Sequence, residues 1–195
     1  MDRINRYIIC LLFVAVAFTA CHHEKNYMPK PRGYFRIDLP EKQYVSVDTV
    51  ERYRFECPNY AVITNDPYSP DEKNWVNINM NPFKASIHLT HKEVKGNLSD
   101  YLEDVHLMLT KHLQKASGIR DSLIINDEHK VYGMLIEMDG STVATPLQFY
   151  LTDSTHNFVR GALYFNFLPN NDSMQPVINY IRQDIDQIIR TFEWK

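Results

Sequence analysis

The chain has 195 residues, with 21 Lys and Arg against 24 Asp and Glu, a formal net charge of −3 and a hydrophobic content of 44%. That length suits one domain with a full core, and the slight acidic balance excludes the concentrated basic face that nucleic-acid binding requires.

The chain opens with Arg3 and Arg6, an apolar run from Tyr7 to Phe18, and the small pair Thr19-Ala20 directly before Cys21. The run is shorter than the ~20 apolar residues of a membrane-spanning helix, and small residues before a cysteine admit a signal peptidase. Residues 1–20 therefore read as a lipoprotein signal peptide, with Cys21 as the lipidation site and first residue of the mature protein. Each buried CH₂ contributes about 0.8 kcal/mol, so several acyl chains on one residue tether a domain to a membrane almost permanently. Cys10 leaves with the signal and Cys21 is consumed as a thioether, so Cys57 has no partner for an intramolecular disulfide. Packing alone must hold the fold. The alternation of Cys57 with Tyr53 and Phe55 makes it a small buried hydrophobe.

Residues 21–33 form a polar tether punctuated by Pro29 and Pro31, which favour an extended polyproline conformation of ~3.1 Å per residue. Residues 34–195 are expected to form a single globular domain. It opens on Tyr34–Leu39, where Phe35, Ile37 and Leu39 alternate with Arg36 and Asp38 and Pro40 stops the run, the pattern of a half-buried strand. The same alternation recurs in Tyr53, Phe55 and Cys57, in Val76, Ile78 and Met80 against Asn77 and Asn79, and in Ala85, Ile87 and Leu89. Asn65–Asp71, with two prolines, reads as an exposed loop.

A helix is predicted from near Asn97, with Leu98, Leu102, Val105, Leu109 and Ala116 as its apolar stripe. Asn97 or Ser99 suits its cap, Lys111 and Lys115 its last turns, and Gly118 a left-handed exit. Four β segments follow, roughly Ser122–Ile125, Val131–Met138, Ser141–Leu151 and Phe158–Phe167. Asp139-Gly140 predicts a tight type I′ hairpin between the second and third of these. A closing helix from about Asp172 to Phe192 carries Ile178, Ile181, Ile185, Ile188, Ile189 and Phe192 on one side, with Pro176 in its first turn. This order predicts an α+β domain, an antiparallel sheet of about six to eight strands with two amphipathic helices packed on it. It is similar to a PsbP-type α/β/α sandwich, a likeness of fold that carries no function.

A search for chemistry finds no catalytic constellation. His88 and His91 sit three apart on a predicted strand and should face opposite ways, and His106 and His112 are six apart on a helix and diverge. No metal site and no cofactor are expected. No Gly-x-Ser-x-Gly elbow or Gly-rich phosphate loop occurs, and adjacent Glu103 and Asp104 suit a solvated helix face. The aromatic residues Tyr150, Phe158, Tyr164, Phe165 and Phe167 read chiefly as core and cross-strand pairs.

The string Tyr27-Met28-Pro29-Lys30-Pro31-Arg32-Gly33-Tyr34-Phe35-Arg36-Ile37-Asp38-Leu39-Pro40, following a lipoprotein signal, resembles the gliding motility lipoprotein GldD family of the Bacteroidota. The likeness continues through Phe55-Glu56-Cys57-Pro58 and Trp75-Val76-Asn77-Ile78 to Glu193-Trp194. It implies an envelope lipoprotein needed for gliding and the associated type IX secretion machinery, with no enzyme activity and with motility and secretion proteins of the envelope as partners. Only Cys21 carries over as a site, as the point of membrane attachment. Lys30, Arg32 and Arg36 close to the lipid read either as part of a stiff spacer or as a docking strip for such a partner. No run of acids follows Cys21, which favours an outer-membrane anchor facing the periplasm over surface display. Asp48-Thr49-Val50, Asp121-Ser122-Leu123, Asp153-Ser154-Thr155 and Asp172-Ser173-Met174 resemble the O-glycosylation triplets of that phylum. Two other classes stay open: a cell-wall glycan- or lipid-binding lipoprotein, which needs an aromatic-lined groove, and an envelope hydrolase, which needs a cleft of polar groups with perturbed pKa.

Overall fold

A computed structural model describes residues 37–195, so the signal peptide, Cys21, the tether, Lys30, Arg32 and Arg36 lie outside the described residues. Alternating apolar residues build antiparallel strands in chain order. These are β1 (Tyr44–Val47), β2 (Tyr53–Pro58), β3 (Val62–Asn65), β4 (Val76–Met80), β5 (Ala85–Glu93), β6 (Gly118–Asn126), β7 (Val131–Asp139), β8 (Leu147–Thr152), β9 (Asn157–Phe165) and β10 (Glu193–Trp194). Helix α1 (Leu98–Leu113) lies between β5 and β6, and helix α2 (Asn171–Arg190) follows β9. Strands pair in the order β3-β4-β5-β9-β8-β7-β6, and β1-β2-β10 form a separate small sheet. The domain is α+β.

The core lies between the large sheet and a layer made of α2 with the small sheet. Ile78, Ile87, Leu163, Phe149 and Leu151 from the sheet meet Ile181, Ile185 and Ile188 of α2 and Tyr53 and Phe55 of β2, all at most 1% exposed. Ile178, Ile189 and Phe192 are buried there too, so the predicted stripe of the closing helix is the face that packs. Each such side chain contributes about 1.5–3 kcal/mol by leaving water. On the other face α1 is held more lightly. Its Val105 is the helix residue that is buried, against Val94 and Phe158, while Leu109 and Ala116 pack beside Ile136, Met138 and Val143.

Several expectations are corrected. The described part of the predicted opening strand, Ile37–Leu39, is irregular, and the first strand begins at Tyr44. Pro40 has no N–H for a sheet ladder, and its carbonyl accepts a 2.6 Å hydrogen bond from Tyr180 of α2 instead. Gly118 opens β6; among the described residues the glycines at positive φ are Gly96 and Gly140, and α1 ends at Gln114 in a right-handed conformation. Asn97 makes no side-chain cap; its Oδ1 accepts from the Lys95 N–H at 2.9 Å. β7 and β8 are antiparallel neighbours as expected, but residues 140–146 join them where a two-residue turn is predicted. That loop is held from outside, because Asn171 Nδ2 donates to both the Gly140 and Val143 carbonyls and Val143 is fully buried. Pro176 falls past the first turn of α2, inside the helix.

Gly133 lies where β7 meets β8, and a Cβ there would come within 1.8 Å of the Tyr150 carbonyl oxygen. Backbone cannot swing aside as a side chain does. Gly133→Ala should therefore lower the unfolding free energy by about 1–3 kcal/mol in urea denaturation, and an unchanged midpoint would contradict this packing.

Candidate functional site

The described chain enters the domain at Ile37, which packs against the main core. From there to Tyr44 it is fastened to one helix face, and the fastening point is Asp184. The sequence of α2 places Asp184 four residues after Tyr180 and between Ile181 and Ile185, so both polar residues lie on the face turned toward the core. Asp184 is 0% exposed.

Its carboxylate is surrounded by three donors from two separate segments. Lys42 Nζ donates to Asp184 Oδ1 at 2.6 Å and to the Tyr180 carbonyl at 2.8 Å, while lying 3.3 Å from the centre of the Tyr180 ring. Tyr44 of β1 donates to the same Oδ1 at 3.1 Å, and Tyr60, after β2, donates to Oδ2. Burial, then the charge of Asp184, pushes the Tyr44 phenol up to about 12 and raises those of Tyr60 and Tyr180. The phenols thus stay protonated and remain donors. Burial lowers the Lys42 pKa although the hydrogen bond and charge of Asp184 oppose the shift. Both carboxylate oxygens are engaged and shut away from water, so this site is built to hold chain segments together.

Sequence reasoning missed all of these residues. One signal was available, an acidic residue lodged within the isoleucine stripe of an amphipathic helix, because carboxylates are rarely buried unless paired.

The other candidates scatter. His88 and His91 do fall on opposite faces of β5: His88 meets the Tyr164 ring edge-on, and His91 Nε2 lies 2.9 Å from Asn157 Oδ1. Among the described residues no group of three or more His, Cys, Asp or Glu is placed to hold a metal ion. Glu103, Asp104 and His106 are exposed on α1. Tyr150 and Phe158 stack at 5.9 Å, and Phe165 and Phe167 pair at 5.3 Å, as cross-strand and local contacts. Trp75 is pinned by its Nε1–H to the His91 carbonyl at 2.7 Å.

Two measurements test this description. Lys42 has a side chain 21% exposed and can turn to water, whereas Asp184 cannot. Lys42→Met, which strands the buried anion, should therefore cost about 3 kcal/mol, and Asp184→Asn clearly less; the reverse order in chemical denaturation would refute the assignment of Asp184 as the enclosed partner. Burial, and then Asp184, raises the Cys57 thiol to about 11, so at pH 8 it is the neutral, unreactive form. Peptide mass spectrometry should find Cys57 unlabelled by a maleimide in the native protein and labelled only with unfolding.

Among curated proteins, none matches the chain. Among solved structures, the solution structure of cyanobacterial PsbP (CyanoP) from Synechocystis sp. PCC 6803 is similar, with 14% identity and a TM-score of 0.45 over 83% of this chain and 98% of that one. The family model for the gliding motility lipoprotein GldD matches residues 24–194, which is nearly everything after Cys21. The chain belongs to the gliding motility lipoprotein GldD family.

Proposed function

We propose that this lipoprotein is a non-catalytic, membrane-anchored component that supports gliding motility and the associated type IX secretion machinery. It is held through Cys21 in the outer membrane and faces the periplasm. The observation that carries the reading is the Asp184 junction. The segment that follows the tether runs into the domain along Pro40, Lys42 and Tyr44, each tied to α2, so a pull on the anchor is received by the helix that forms the core. A component that holds partners at a membrane while they move needs such a rigid root.

Basic residues near an anionic surface or partner contribute about 1 kcal/mol each, which gives Lys30, Arg32 and Arg36 the role of a docking strip. The saturation of the Asp184 carboxylate and the burial of Cys57 support a structural role over a reactive one.

In a gliding host, Cys21→Ser should move the protein out of the membrane fraction and abolish spreading and secretion. Lys30→Glu with Arg32→Glu should leave it membrane-bound and abundant yet reduce both. Full function of the Cys21→Ser protein would remove the anchor from the account, and full function of the double variant would remove the docking strip.

A further inference from the structure

The sheet face under α1 is divided by that helix, which runs from Val94 and Phe158 at one end to Ile136 and Met138 at the other. On one side the register rows are polar: Asn77, His88, Ala162 and Gln148 stand in line across β4, β5, β9 and β8, and Thr90, Arg160 and Tyr150 form the next row. Strand alternation turns all of them away from the Ile87, Leu163 and Phe149 core.

Arg160 is anomalous within this surface. Buried charges are normally paired, because removing an ion from water without a counter-ion is costly. Arg160 is half-buried, its Nη2 donates to Gln148 Oε1 at 2.6 Å, and its Nε is buried with no hydrogen-bond partner. Among the described residues no carboxylate forms an ion pair with it. Its orientation is nonetheless fixed. Gln148 is 2% exposed, and its Nε2 donates to Thr145 Oγ1 at 2.7 Å, which leaves Oε1 to hold the guanidinium.

The neighbouring side chains are neutral. Burial, then Arg160 and Lys115, holds the His112 imidazole on α1 below its ordinary pKa. His88 is also lowered by burial, with Asp66 opposing. Asn77 is 7% exposed, yet its side chain makes no hydrogen bond among the described residues. The adjoining row is closed by contrast: Ser86 Oγ donates to Asn79 Oδ1 and Asn79 Nδ2 donates to Thr64 Oγ1, both at 2.9 Å.

We propose that this half-face binds an oxyanion, the carboxylate or phosphate group of a small ligand. Arg160 is its main contact, and Gln148 positions the guanidinium. The remaining N–H groups of Arg160 supply the charge-assisted hydrogen bonds that an oxyanion takes up best. The site does not depend on the anchor or on the motility reading, so it stands or falls in a binding measurement on the purified protein.

The test is calorimetric titration of the detergent-solubilised, full-length lipoprotein with inorganic phosphate and, separately, with glucuronate in chloride buffer. Saturable binding of either probe is expected, and whichever binds names the group. Arg160→Met should weaken it by about tenfold or more. Arg120→Met, which alters an exposed arginine paired with Asp139, should leave it unchanged. Should Arg160→Met not fold, Arg160→Lys serves in its place and should also weaken binding, since the ammonium lacks the planar fork. The proposal is overturned if neither probe binds saturably or if the Arg160 variant keeps its affinity.

Discussion

A carboxylate cut off from water must find its donors inside the protein, and Asp184 imposes that condition on everything around it. The requirement explains why residues 37–43 run as irregular chain. A strand would have spent its polar groups on a sheet neighbour, whereas the observed path offers Lys42 to the carboxylate and the Pro40 carbonyl to Tyr180. It also explains the position of the small sheet, whose β1 delivers the Tyr44 hydroxyl and whose β2 leads into Tyr60. Packing energy comes from the isoleucine stripe of α2, but packing is indifferent to which segment lies where. The shared anion makes the arrangement specific, since Lys42, Tyr44 and Tyr60 have to arrive together.

The sheet consequently has two faces of different character. Toward α2 and the small sheet it is closed, with aromatic contacts among Tyr53, Phe55 and Phe192 within 6.4 Å of one another. Toward α1 it is only partly covered. The helix leaves Leu107 50% exposed and Leu113 45%, and the edge strand β6 leaves Leu123 75% and Ile125 69%. Helix propensity and one buried valine cannot hold α1 as firmly as nine buried residues hold α2.

What the sequence revealed and what it hid follow from the range of the interactions. Strict alternation in Tyr53–Cys57, Val76–Met80 and Ala85–Leu89 and the 3.6-residue stripe of Ile178–Phe192 were legible, because each is local and each burial pattern repeats along a single element. The four residues of β3 are too few to show a period. Asp139-Gly140 misled because the turn chemistry is local whereas Asn171, far along the chain, decides the path of the loop. The junction was hidden for the same reason, since Lys42 and Asp184 are 142 residues apart. Arg160 was hidden differently: between Val159 and Gly161 it looks like an ordinary outward residue of an alternating strand, and only the fold shows that its Nε is buried without a partner while Gln148 holds its Nη2.

These features divide the labour between the layers. Residues 37–44 are fastened through contacts with α2, on the side of the sheet whose interior is filled. Across the thickness of the sheet lies the opposite condition, with an arginine lacking a counter-ion on one flank of α1 and exposed aliphatic side chains on the other. The far layer is where interaction free energy is left unspent, because the helix between its two halves buries Val105 alone among its own residues.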